Sequence, residues 1–409
     1  MKSNSGCFNC SKKGCTKKGC TKKGGWRFCA ALFIGSGLCV GSSFAAAEAF
    51  TPQGETVLIQ QGFYSSAQQN PLARAKAFVK RAQQEQKPEF YSYAKQAIKH
   101  QWQNQNASLE FRLVRAAINQ HYHDFAEALS DLDFILAQNP NQAQAHLMRF
   151  SVLLVMGDLE TARSQCQKML LAVDSALVVN CLAQVDGVRG KAKQFEETLT
   201  SLTAEPNHEI VQEQLLISLF ELSLTQGDSA KAQKHLNAVL RLSPNNRYVV
   251  EQYNQMLWLQ EDYQTLLDAT QRALTFEEKV YYLAAAKRLG VFSHRETRLK
   301  RALALDVQRN SDNHKYIALY YAYVERHEEN ALMYAKRNWA LQKTVSDALV
   351  LLSVSKEVHA DDEMDPIRHW VEANGIQDKR LQPFIDSVAE ATVVHQAATP
   401  NTTHVRNTL

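Results

Sequence analysis

The chain has 409 residues, with 46 Lys+Arg against 42 Asp+Glu, 16 Gly and nine Pro. From residue 50 onward 38 basic residues face 41 acidic ones, a balance that excludes non-specific nucleic-acid binding through bulk charge. The same stretch holds eight Gly and nine Pro, roughly 5% against an average usage of roughly 12%, which excludes a turn-rich β fold and points to long helices.

Residues 1–49 differ from the rest. They carry six of the eight cysteines and eight basic residues against one acid. Lys12, Lys13, Lys17, Lys18, Lys22, Lys23 and Arg27 precede an apolar run from Phe28 to Val40, followed by Ala45-Ala46-Ala47 and the overlapping Ala47-Glu48-Ala49. A basic region, a short apolar core and a small-x-small site are the pattern of a secretory signal peptide. The apolar run falls short of the roughly 20 residues that span a bilayer. Leu38 before Cys39 argues against a lipoprotein signal. The expectation is cleavage near Ala47 or Ala49 and a periplasmic or secreted chain, in contact with membrane only if the signal stays uncleaved.

Within that segment Cys7, Cys10, Cys15 and Cys20 stand in the spacing C-x2-C-x4-C-x4-C. This resembles the zinc knuckle of retroviral nucleocapsid proteins, with Cys15 where that family has His. Four thiolates would suit tetrahedral zinc. A tandem Lys-Lys-Gly-Cys-Thr (residues 12–16, then 17–21) generates the same spacing by duplication, and cleavage would discard it. No metal and no cofactor are assigned to the mature chain.

Residues 50–70 read as a leader, and Asn70-Pro71 opens the first helix, with Pro at an early helical position. From there a 34-residue ruler runs along the chain. Arg81-Ala82, Arg115-Ala116 and Arg149-Phe150 keep that step, as do Ala94, Ala128 and Ala162. Turn signals Asp124-Phe125 and Asp158-Leu159 are in phase, and Asp228-Ser229 and Asp262-Tyr263 repeat the step further on. Pro140 and Pro244 fall where a helix has just ended. Each period reads as two helices and a turn, with small residues where the pair crosses. Leu129, Leu132, Ile135 and Leu136 mark one apolar face. A single pair cannot bury both faces, so neighbouring pairs must stack.

These features resemble the tetratricopeptide repeat. The match is carried by His123-Asp124-Phe125-Ala126-Glu127-Ala128-Leu129 through Asn139-Pro140-Asn141, by Gly157 to Ala162 and by Gly227 to Ala232. One unit is degenerate: Val185 to Gly190 keeps a turn, but Phe195 replaces the small residue. Asn180 to Val185 and Arg337 to Gln342 also resemble stretches of an uncharacterised group of exported bacterial tetratricopeptide proteins. The resemblance implies an all-α solenoid of stacked antiparallel helix pairs in a right-handed superhelix. Repeats are expected over 71–275, divergent helical repeats over 276–390, and a disordered tail over 391–409. Asp365-Pro366 should open a late helix, capped by Asp365 and ending near Gly375.

No nucleophile elbow, phosphate loop, H-E-x-x-H or dinucleotide fingerprint appears in the mature chain, so no catalytic residue is named. His121-Tyr122-His123 falls at a turn, and Asp361, Asp362, Glu363 and Asp365 lack the alternating ligands and Gly of a calcium loop. Cys166 and Cys181 lie on neighbouring helices, where an oxidising compartment would join them. The alternative is two buried thiols packing as small hydrophobes.

The resemblance places the first helix of each pair on the concave wall. Its inward positions give a binding set of Gln144, Leu147, Ser151, Gln214, Ile217, Glu221, Tyr248, Glu251, Gln255, Trp258, Tyr316, Tyr320 and Tyr323. The aromatic run suits an interface, while a Tyr stripe at helical spacing also suits a core. The carboxylate clamp of one subclass is missing, because Leu113, Ala117 and His121 stand at its positions. The functional expectation is a non-enzymatic protein-binding scaffold of the bacterial cell envelope, holding an extended peptide or a partner helix on the concave face. The alternative is a structural subunit of an envelope polysaccharide or pilus machine.

Overall fold

The computed structural model describes residues 70–385, apart from 206, 273–274 and 310–312. The signal peptide, the cysteine cluster, residues 50–69 of the leader and the tail lie outside the described residues. Within them the chain forms 18 α-helices and no strand.

The helices follow one another as nine pairs: α1 (Pro71–Glu85) with α2 (Glu89–Ile98), α3 (Leu109–His121) with α4 (Phe125–Gln138), and α5 (Ala143–Val155) with α6 (Leu159–Lys168). Next come α7 (Ser175–Asp186) with α8 (Ala192–Ala204), α9 (Glu209–Thr225) with α10 (Ser229–Leu242), and α11 (Arg247–Leu259) with α12 (Tyr263–Ala269). The last are α13 (Phe276–Arg288) with α14 (His294–Arg309), α15 (His314–Leu319) with α16 (Glu328–Leu341), and α17 (Val345–Glu357) with α18 (Asp365–Asn374). First helices pack against first helices from α7 through α9, α11, α13 and α15 to α17. The result is a tetratricopeptide-like solenoid.

The turns explain the period. Asp124, Asp158, Asp228 and Asp262 are the N-caps of α4, α6, α10 and α12. The last three carboxylates accept the N–H of Thr161, Lys231 and Thr265 at 3.0–3.1 Å, satisfying donors the helix leaves orphaned. The residue before each cap is left-handed: His123, Gly157, Gly227 and Glu261. Ala94, Ala116, Ala128, Ala162 and Ala232 are fully buried at the helix crossings, where a larger side chain would force the backbones apart. The degenerate unit makes its turn differently, through a π-type turn over Gly187–Lys191. Near the end of the described chain, α18 is capped by Met364, not by Asp365, which is already helical; Gly375 then closes the helix in the left-handed conformation.

The second pair holds a buried charge cluster. Asp131 on α4 accepts from Arg112 at 2.8 Å and from Arg115 at 2.7 Å, both on α3. Each carboxylate oxygen is used, so the pair is locked by matched charge as well as by apolar packing.

The chain then folds back on itself. The N–H of Lys343, just before α17, donates to the carbonyl of Val155, the last residue of α5, at 2.8 Å. The N–H of Gln377 donates to Val188 at 2.7 Å, and that of Lys379 to Thr225, the last residue of α9, at 3.0 Å. The ends of α5 and α9, and the turn that follows α7 between them, thus receive donors from the returning chain. A helix end leaves its last carbonyls without intrahelical partners, and a row of repeats offers them at regular intervals.

Candidate binding surface

The structure distributes the thirteen predicted concave residues between two environments. Ile217, Gln255, Trp258, Tyr316, Tyr320 and Tyr323 are buried. Trp258 and Tyr323 pack with ring centroids 4.3 Å apart, and the Tyr320 hydroxyl donates to Glu325 at 2.7 Å. These six belong to the core and leave the ligand-facing set. The physical reason is the ninth pair: α17, buried along ten of its thirteen residues, occupies the space the first helices would otherwise present to a partner.

Polar side chains of the first helices are paired from helix to helix, several of the predicted set among them. Gln120 on α3 donates to Ser151 on α5 at 3.0 Å, and Gln184 on α7 donates to Ser218 on α9 at 3.1 Å. The Tyr248 hydroxyl on α11 donates to Glu221 on α9. Gln255 on α11 donates to the carbonyl of Ser346 at 3.0 Å and accepts from its hydroxyl at 2.8 Å, anchoring α17. Lys315 donates to Glu251 at 2.6 Å and to Ser346 at 2.7 Å. Burial pushes the Lys315 ammonium down, but the Glu251 and Asp347 carboxylates outweigh it and hold the group above the ordinary lysine value. Gln144 is exposed, and Leu147 and Gln214 are half-buried.

Below the returning chain lies a cavity of about 120 Å3, well above the roughly 10–15 Å3 that one water needs. Glu221, Tyr248 and Gln252 line one wall; Lys343 to Ser346 at the start of α17, with Trp370, Ile376 and Arg380, line the other. Burial raises the Glu221 carboxyl above its ordinary value, and the Tyr248 hydroxyl and the Arg380 charge offset this only in part. Tyr248 is 44% exposed as a residue, with its hydroxyl turned inward; burial of that end, followed by the Glu221 charge, drives the phenol well above its own. The Trp370 Nε1 is buried without a hydrogen-bond partner. Ile376, Asp378 and Arg380 are residues that repeat phase does not announce, since they lie beyond the ninth pair.

Cys166 and Cys181 form a disulfide between α6 and α7, with Cα atoms 5.7 Å apart. The His121 ring stacks on Tyr91 with centroids 4.1 Å apart, and the His123 Nδ1 sits 3.3 Å from the Gln342 amide. Both imidazoles of that turn are therefore engaged with protein groups.

No protein-family model and no curated protein matches the chain. Solved structures do. A structure of pilF from Pseudomonas aeruginosa is 16% identical, spans 50% of this chain and 92% of its own, and superposes with a TM-score of 0.34. Yeast Tom70 is 11% identical over 81% of this chain and 96% of its own, at 0.26. The TPR domain of P58(IPK) is 13% identical over 81% and 99%, at 0.22. None of these likenesses bears on function.

Proposed function

We propose that the chain is a non-enzymatic protein-interaction scaffold of the bacterial cell envelope that holds an extended polypeptide segment against its helix ends. The observation that carries this reading is the chain's own behaviour: a short non-helical stretch after Gly375, residues 376–379, is held by main-chain bonds to Val188 and Thr225. A surface that reads backbone in this way accepts other sequences of similar shape. The basic and apolar pattern of residues 1–49 supports export. A disulfide between Cys166 and Cys181 agrees with an oxidising compartment.

Site-specific photocrosslinking tests it, with the crosslinker at exposed Gln144 in the full-length gene expressed in a bacterial host. One defined polypeptide from the periplasmic or membrane fraction is expected. Recovery of the chain in the cytoplasm with residues 1–49 attached, or crosslinks only to itself, would remove the reading.

A further inference from the structure

The cavity under the returning chain sits on the wall that repeat phase assigns to ligand. Four consecutive first helices bound it, through Leu154 on α5, Ala183 on α7, Leu222 on α9 and Gln252 on α11. The start of α17 and the residues from Trp370 to Arg380 close it from the other side. At about 120 Å3 it is close in size to a cavity of roughly 150 Å3 that takes up benzene. That is room for one ring or a short branched chain, and not for a peptide.

Most polar groups in its lining already have partners within the protein. Gln184 donates to Ser218 at 3.1 Å. The Thr344 hydroxyl donates to Asp347 at 2.6 Å, and the Ser346 hydroxyl donates to Gln255 at 2.8 Å. The Arg380 guanidinium donates to Asp378 at 2.9 and 2.7 Å. The rest of the surface is mainly apolar, with Leu154, Leu159, Val188, Leu222 and Ile376 contributing to it.

Glu221 is the group left short. Its hydrogen bond comes from a neutral donor, the Tyr248 hydroxyl, although a carboxylate offers about four acceptor sites. Glu221 and Asp378 are two carboxylates around one guanidinium, and Asp378 holds that guanidinium in a two-pronged ion pair. Lys343, the remaining charged residue of the lining, is exposed, so water solvates its ammonium. Burial raises the Glu221 carboxyl, and Arg380 offsets this only in part. A carboxyl so placed is stabilised by any cation that reaches it.

We propose that this cavity binds a small organic amine, whose ammonium pairs with Glu221 while its apolar body lies against Leu154, Leu222 and Ile376. The site goes beyond the scaffold reading and does not depend on it. The Gln144 crosslink tests the scaffold separately.

The probe is benzylamine, with benzyl alcohol as its neutral isostere, each titrated by calorimetry into the purified full chain at neutral pH. One site per chain is expected, with the amine bound at least tenfold more tightly than the alcohol, because a charge-assisted hydrogen bond exceeds a neutral one. Glu221→Gln should remove that preference. Trp370 lines the cavity and its Nε1 is buried without a hydrogen-bond partner, so its indole N–H resonance should shift with the affinity that calorimetry gives. No saturable binding of benzylamine, equal affinity for the two probes, or a preference that survives in a folded Glu221→Gln variant would overturn the proposal. Should that variant not fold, the wild-type Trp370 resonance decides. A signal that stays fixed while benzylamine binds would place the amine elsewhere and overturn the proposal.

Discussion

Two passages of the returning chain land on the same row of helix ends, and they are held in different ways. The first, Lys343 with α17, reaches the end of α5 and continues as a helix whose side chains complete the main core. Its N-terminus is fixed by a capping box between Thr344 and Asp347, and Asn338 donates to Asp347 at 3.0 Å. The second, residues 376–385, uses similar main-chain bonds to Val188 and Thr225, but continues only as a turn over 379–381 and a single helical turn over 382–385. Similar main-chain bonds thus precede a long core helix in one passage and a single helical turn in the other. What separates the two is the depth of side-chain burial behind the backbone bonds.

The largest expected effect tests that separation directly. Leu352 in α17 is 0% exposed and Leu381 is 1% exposed. Truncating a buried leucine to alanine costs about 2–5 kcal/mol where the surroundings unfold with it. Leu352→Ala is expected to lower the global unfolding midpoint by that full amount in a denaturant titration. Leu381→Ala should lower it by less than half as much, while accelerating exchange at Lys379. Equal losses would mean that both passages belong to one cooperative unit.

The disulfide comes next, because it ties α6 to α7 and so fixes the wall on which both passages land. With the bonded cysteines separated by 15 in sequence, reduction is expected to cost about 3 kcal/mol of global stability. Thermal unfolding with and without reductant measures this, with a thiol count confirming the starting state. An unchanged midpoint after complete reduction would show that packing alone sets the wall.

Glycine turns separate the passages at smaller scale. Gly157 has φ +74° and a Cβ there would lie 2.7 Å from the Lys343 Cβ; Gly227 has φ +66° and a Cβ there would lie at an ordinary 3.5 Å from Lys379. A left-handed alanine costs roughly 1–2 kcal/mol at either site. Gly157→Ala should exceed Gly227→Ala, because its clash involves the Cβ and main chain of a residue fixed at the start of α17. Parallel chemical denaturation of the two variants checks the order, and the reverse order would place the tighter constraint on the second passage.

Much of this architecture is legible in the sequence because it is written locally. A cap aspartate must precede a helix start, so Asp124, Asp158, Asp228 and Asp262 give the period away. Alanines at crossings do the same, since a crossing tolerates little volume. The binding surface is less legible, because it depends on how far the solenoid winds. Helical phase identifies the inward face of α11 and α15 but not what meets it, and here α17 buries Gln255 and Tyr316. Asp378 and Arg380 lie outside any repeat, so no period marks them. Val188 and Thr225 accept from the main-chain N–H groups of Gln377 and Lys379 through backbone carbonyls, which no side-chain pattern records.

The smallest expected effect is in the pH dependence, where two regions of the wall have opposite signs. On α3, burial and then the His123 charge lower His121 from 6.5 to about 4. The fold holds this ring neutral while the unfolded chain takes up its proton, so stability is lost as pH falls from 6.5 toward 4. At Glu221 burial raises the carboxyl above 4.5, against the pull of Tyr248 and Arg380. Here the folded chain keeps a proton the unfolded chain has released, so stability is lost as pH rises from 4.5 through the raised value. His121→Gln should flatten the acid-side slope of melting temperature against pH, and Glu221→Gln the slope above pH 4.5. Glu221 lies beneath residues 376–385 and His121 does not. Only Glu221→Gln should therefore also slow exchange at Gln377 and Lys379, after correction for the intrinsic base dependence of exchange. An Glu221→Gln profile that superimposes on the wild type would show the carboxyl to be solvated, and would remove electrostatic strain from the reasons the second passage is held less firmly than the first.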